Sequence, residues 1–165
     1  MSNALQQRSA HDTLLVISFR LGGAVFGIDA QMVQEVVKFG DITPVRHAPP
    51  HVVGIRNLRG RIVTVIDLRA RLDLGAVAAS GDNRILIVEW QGEPVGLLVD
   101  SVSDTVSASP EDVAPAPPNL HGVQGRNLNG VLRGGGRLIA LINLDGLLQP
   151  DDQTARPALP ERPAK

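Results

Sequence analysis

The chain has 165 residues, a formal charge of −1 and 43% hydrophobic residues, enough for one packed unit or two small subdomains sharing an interface, and too many for wholesale disorder. The near-neutral charge gives no electrostatic footprint for nucleic acid or an anionic membrane, and the few aromatics (Phe19, Phe26, Phe39, Trp90) leave little surface for stacking bases or sugars. With no Cys there is no disulfide framework, thiolate nucleophile or Cys-ligated zinc site.

The opening stretch MSNALQQRSAHD is polar and lacks the apolar region of a signal peptide. No apolar run approaches the ~18–20 residues of a membrane span, so a soluble cytoplasmic protein is expected. Short Val- and Ile-rich runs bounded by Gly, Asn, Asp or Pro then read as strands: Leu14–Phe19, Ala24–Ile28, Arg61–Ile66, Arg84–Trp90, Pro94–Asp100 and Arg137–Asn143. This spacing predicts an all-β barrel or sandwich rather than alternating βαβ units. Asp29–Val36 reads as a helix, with Asp29 suited to its N-cap and Met32, Val33 and Val36 on one face. A turn or short helix is expected after Asp67 and another over Asn143–Leu148. Asp100 and Asp104 are expected in a loop or turn. Four prolines within Ser107–Asn119 mark a loop, and from Pro150 the composition reads as a flexible tail.

Two blocks recur in the same order. GIDAQMVQEVV from Gly27 matches GLLVDSVSDTV from Gly96 at an offset of 69 (96 − 27), and LRGRIVTVIDL from Leu58 matches LRGGGRLIALINL from Leu132. The second match sets Arg59 against Arg133, with two extra glycines among Gly134–Gly136 restoring Arg61 against Arg137. A period near 70 exceeds the usual solenoid repeats and predicts two related subdomains, 13–75 and 82–149, divided near Leu74–Gly81 and flanked by flexible termini, 1–12 and 150–165. Each half is small, so the two are expected to share a buried seam with a groove between them.

Catalytic patterns are missing. There is no GxSxG, HExxH, P-loop or GxGxxG, and His47 and His51 are separated by Pro49 and Pro50, which breaks any helical metal-binding face. His11 lies in a polar terminus and His121 in a Pro/Gly-rich loop. Neither enzyme activity, cofactor nor metal is expected. The sharpest segment is GIRNLRGRIVTVIDLR, Gly54 to Arg69, which reads as strand, tight turn and strand, with Gly60 supplying positive φ and Arg59 projecting from the turn. From the residues alone, Arg59 is either a solvated turn cation or a functional group, and Glu35 is equally open between surface charge and function.

These blocks, with NRILIVEWQGEPVGLLVDSVSDTV, APAP and RLIALINLDGLL between and after them, resemble the CheW family in order and spacing over residues 13–149. The resemblance implies two SH3-like five-stranded β-barrels packed side by side, with a few short helices. It implies an adaptor that binds the cytoplasmic tip of methyl-accepting chemoreceptors and the regulatory domain of the histidine kinase CheA, recruited to receptor arrays at the inner membrane. By position, Val33, Arg59, Leu86 and Thr105 correspond to receptor-binding residues, and Glu35, Ile42 and Gly54 to kinase-binding ones. Glu35 and Arg59 are the family's pair linking the two surfaces. Thr64 stands where the family commonly has Pro, Thr105 replaces an apolar residue, and the triple glycine and Pro-rich tail are unlike the commonest members. Two alternatives accompany this reading: a coupling protein of a non-flagellar chemosensory pathway, and a small β-barrel ligand-binding module.

Overall fold

The first two strands, β1 (Leu14–Leu21) and β2 (Ala24–Asp29), form a hairpin closed by Gly22 and Gly23. The fold is that of a computed structural model, which describes residues 13–120, 122–134 and 136–149. The polar N-terminus with His11, the loop residue His121 and the Pro-rich tail lie outside them.

From Val25 to Ile28 strand β2 is buried on both faces. Phe26 and Ile28 point into one core, while Gly27 faces another, where a Cβ would lie 2.5 Å from Val16 Cγ1 and 2.8 Å from Ile139 Cγ2. The helix expected over 29–36 is instead one 3₁₀ turn, Ala30–Met32, followed by strand β3 (Val33–Lys38). Asp29 does cap that turn, accepting from the Gln31 backbone N–H at 2.9 Å. Beyond it Val33, Glu35 and Val37 are half-buried at every second residue, and pairing with a neighbouring strand overrides the ambiguous apolar spacing.

Strands β4 (Val52–Leu58) and β5 (Arg61–Asp67) form the hairpin read from the sequence. The short helix α1 (Leu68–Arg71) follows, its Asp67 cap accepting from the Ala70 N–H at 3.0 Å. The next strands are β6 (Arg84–Trp90), β7 (Glu93–Val99) and β8 (Ser101–Ala108). Asp104 therefore lies on a strand, not in the expected loop. Short pieces β9 (Val113–Ala114), β10 (Asn119–Leu120) and β11 (Val123–Gln124) precede β12 (Leu128–Gly134) and β13 (Arg137–Ile142). Helix α2 (Leu144–Leu148) is capped by Asn143, which accepts from the Gly146 N–H at 3.2 Å.

Two large sheets result, with strand orders β8-β1-β2-β13-β12-β9 and β3-β6-β7-β5-β4. Their connectivity is equivalent. Gly27 on β2 pairs in parallel with Leu141 on β13, as Gly96 on β7 pairs in parallel with Val65 on β5. The bulge Val52/Gly54 in one hairpin matches Leu128/Gly130 in the other. The two SH3-like barrels are thus a six-stranded and a five-stranded version of one unit, and the repeat is real.

Two details of the sequence reading need correction. The barrels do not divide as 13–75 and 82–149: β1 and β2 join a sheet made otherwise from the second half, while β3, β4 and β5 join β6 and β7. Arg133 is not the counterpart of Arg59 either. Residues Leu58 and Arg61 flank one turn and Gly134 and Arg137 the other, so Arg133 on β12 matches Asn57 and no insertion is needed.

Three apolar cores follow. Each barrel has its own, Val16, Leu132, Ile139 and Leu141 in one and Val63, Val65, Ile85 and Ile87 in the other. The larger third core lies where the barrels meet, with Phe19, Phe26 and Ile28 packed together with Leu86, Val88, Leu97, Ile142 and both short helices. Among the described residues no helix is long and apolar enough to cross a membrane.

Candidate functional site

The β4–β5 turn positions the most distinctive side chain. Leu58 pairs with Arg61, leaving Arg59 (φ 53°) and Gly60 (φ 86°) as the two central residues of a type I′ geometry. Asn57 Oδ1 accepts from the Gly60 N–H at 2.9 Å and fixes the turn. Positive φ at both positions suits Asn-Gly, and Gln91–Gly92 adopts the same pattern in the β6–β7 hairpin, so a longer side chain is tolerated before the glycine of such a turn.

Arg59 donates from Nη1 to Glu35 Oε2 at 2.5 Å and from Nη2 to Glu35 Oε1 at 2.7 Å, a two-pronged guanidinium–carboxylate contact. Strands β3 and β4 are the two edges of the five-stranded sheet, so this pair spans the gap where the sheet rolls toward closure. Both groups meet solvent, with side-chain exposures of 69% for Arg59 and 30% for Glu35. The hydrogen bonds from Arg59 hold the Glu35 carboxyl below its ordinary range; partial desolvation opposes this and the nearby positive charge reinforces it. The same contact raises the Arg59 pKa.

The sign gives a prediction. A carboxyl with a depressed pKa keeps its pair above the unfolded-state pKa and loses it as pH falls through the folded value. In a carbon-detected NMR titration Glu35 is expected to protonate below the usual glutamate range, and in Arg59→Ala to return to it. An unshifted wild-type titration would show the contact to be absent in solution.

Ile42 and Gly54 also come together. Gly54 is buried at φ 154°, and a Cβ there would lie 2.3 Å from Thr43 O and 2.7 Å from Ile42 Cγ2. The absent side chain lets the Ile42–Thr43 segment cross β4, where Thr43 and Ile55 exchange two backbone hydrogen bonds of 2.8 Å. Ile42 is half-buried against the five-stranded barrel's core.

The residues expected on a receptor-facing groove are dispersed. Val33 opens β3, half-buried against the shared core, with Met32 and Val36 exposed beside it. Thr105 is exposed on β8, in the other sheet, opposite Ile17. Leu86 is 0% exposed, paired with Val36 and packed in the shared core. It supports a surface without being part of one, which corrects its assignment as a contact residue.

Sequence reading passed over Arg56, whose Nη1 donates to the Lys38 carbonyl at 2.7 Å across the same gap. The signal was an Arg inside an alternating strand, masked by the more conspicuous turn. Asp100, expected as a loop or turn carboxylate, accepts from the Gly22 N–H at 2.6 Å and faces Arg69 at 3.5 Å. Among the described residues no cluster of three or more His, Asp or Glu could hold a metal ion. A polar cleft of about 320 Å³ lies beside the end of α1; its Arg71 donates to the carbonyls of Leu147 and Gln149.

Comparison with known proteins gives consistent results. Residues 15–152 match the family model described as CheW-like domain. The chain is 34% identical over 140 residues to the chemotaxis protein CheW of Rhizobium meliloti, covering 85% of this chain and 90% of that protein. It is 28% identical to protein FrzA of Myxococcus xanthus, covering 83% and 86%. Among solved structures it is similar to the scaffolding protein TtCheW from Thermoanaerobacter tengcongensis, with a TM-score of 0.79 and 32% identity over 88% of this chain and 95% of that one. With the family model spanning nearly all the described residues and the paired barrels present in the fold, the chain belongs to the CheW family.

Proposed function

We propose that this protein is a non-catalytic adaptor of chemotaxis signalling, joining the cytoplasmic tip of a methyl-accepting receptor to the regulatory domain of the kinase CheA. The observation that carries the reading is the Arg59–Glu35 contact, which ties the strand holding Val33 to the hairpin holding Gly54. Val33, Arg59 and Thr105 are assigned to the receptor side, and Glu35, Ile42 and Gly54 to the kinase side. Family membership and likeness to a protein described as a scaffold support an assembly role. Recruitment to receptor arrays at the inner membrane follows from the same reading.

A double-mutant cycle tests it. Arg59→Ala and Glu35→Ala are expected to leave the melting transition nearly unchanged, because exposed ion pairs contribute little to stability. Each is expected to weaken binding of a receptor-tip fragment or a CheA regulatory domain by about 5-fold or more, with the double variant less than additive. Additive losses would sink the coupling role of the pair. Failure of the wild-type chain to bind either fragment would sink the adaptor reading itself.

A further inference from the structure

The two barrels solve one packing problem differently. On β12, Leu132 pairs with Ile139 and is wholly buried inside the six-stranded barrel. At the matching place on β4, opposite the buried Val63, stands Arg56. A position that is apolar core in one copy carries a guanidinium in the other. Burying an Arg stem at a barrel mouth forgoes apolar packing and requires its charged end to find partners.

The partner is the Lys38 carbonyl, at the last residue of β3, 2.7 Å from Nη1. Strands β3 and β4 share no ladder among the described pairings, so side chains bridge this seam. Glu35–Arg59 closes it at one level and Lys38–Arg56 at another. Lys38 leads directly into Phe39–Thr43, the segment that crosses Gly54 and is tied to Ile55.

We propose that Arg56 is a positioning residue that couples the two partner surfaces: by holding the end of β3 it transmits the position of the strand that carries Val33 to the kinase-side segment Ile42–Thr43. This rests on the assignment of partner surfaces above. The Arg59–Glu35 pair fixes where β3 stands, and Arg56 fixes where the chain goes on leaving it. Two latches on one strand constrain its rotation as well as its distance, which one alone does not.

Arg56→Leu is the decisive variant, because it copies the residue of the sister barrel and is expected to fold. Titration calorimetry would measure binding of the receptor-tip fragment and of the CheA regulatory domain, each with and without the other. Coupling between sites is reciprocal and commonly about 5- to 150-fold, and in Arg56→Leu it is expected to fall to within about 2-fold of unity while each partner binds alone nearly as before. Hydrogen exchange supplies a readout that needs no partner: the Thr43 and Ile55 amides are expected to exchange faster in Arg56→Leu. Arg56→Lys, which keeps a cationic donor group on a flexible stem, is expected to recover part of that protection. If Arg56→Leu fails to fold, Arg56→Met carries the same measurements.

Unchanged coupling and unchanged exchange in a folded variant would overturn the proposal, as would a wild-type coupling factor near 1. A wild-type protein that binds neither fragment would instead remove the adaptor reading, and the exchange rates would still decide whether Arg56 holds the segment.

Discussion

Divided between Ala79 and Ser80, the chain is expected to give two fragments that do not fold separately and that reassemble when mixed. The reason is the exchange of strands between the halves. Fragment 13–79 contains the β1–β2 hairpin but lacks β8 and β13, which flank it in the six-stranded sheet, and β12 beyond β13. It contains β3, β4 and β5 but lacks β6 and β7, which lie between β3 and β5 in the other. Fragment 80–149 has the complementary gaps. An isolated hairpin is marginal in water, and each fragment would expose its share of the central core, including Phe19 and Phe26 on one side and Leu86 and Leu97 on the other. Neither fragment should show a cooperative thermal transition. Mixing should restore one, together with the fluorescence of Trp90, whose Nε1 donates to Asp145 at 3.0 Å. A fragment that melts cooperatively alone would mean that a barrel can be built from one half.

Gly54→Ala is expected to abolish most kinase-domain binding while sparing the receptor side. The added methyl would meet the Thr43 carbonyl oxygen and carbon at 2.3 and 2.8 Å, backbone atoms that cannot swing aside. The crossing segment must lift, and its two hydrogen bonds to Ile55 go with it. Overpacking of this kind costs about 1–3 kcal/mol, and displacement of Ile42 should weaken the kinase domain by more than about 10-fold, equivalent to about 1.4 kcal/mol. Gly130→Ala is the matched control. Its Cβ would lie 2.7 Å from Val113 Cγ1 and 2.8 Å from Ala114 O in the other barrel, so it should destabilise similarly and leave kinase binding in place. Equal loss of binding in both variants would show that stability, not the Ile42 segment, controls the interaction.

The same glycines show what the sequence makes legible. Gly27 and Gly96 could be aligned because each lies in a strand core where no side chain fits, and such positions leave a fixed residue type at a fixed spacing. The β4–β5 turn was legible for a similar reason, since Gly60 is demanded by local backbone geometry. The short caps Asp67 and Asn143 were likewise local. Strand β3 was not, because VQEVV satisfies helical and strand periods alike and only its pairing with β6 decides. The exchange of strands between barrels was invisible for a deeper reason: a repeat reveals which segments are equivalent, not which copy each one pairs with. Leu86 fails as a surface residue because strand β6 has neighbours on both faces, and an apolar run cannot say which face is open.

A further consequence follows from the turn that lacks an arginine. Between the paired residues Leu58 and Arg61 of the five-stranded barrel the sequence has Arg-Gly, and between Gly134 and Arg137 of the six-stranded barrel it has only glycine. Leu132 in place of Arg56 removes the second arginine as well. Two copies of one architecture therefore present dissimilar ends, which gives the molecule a direction.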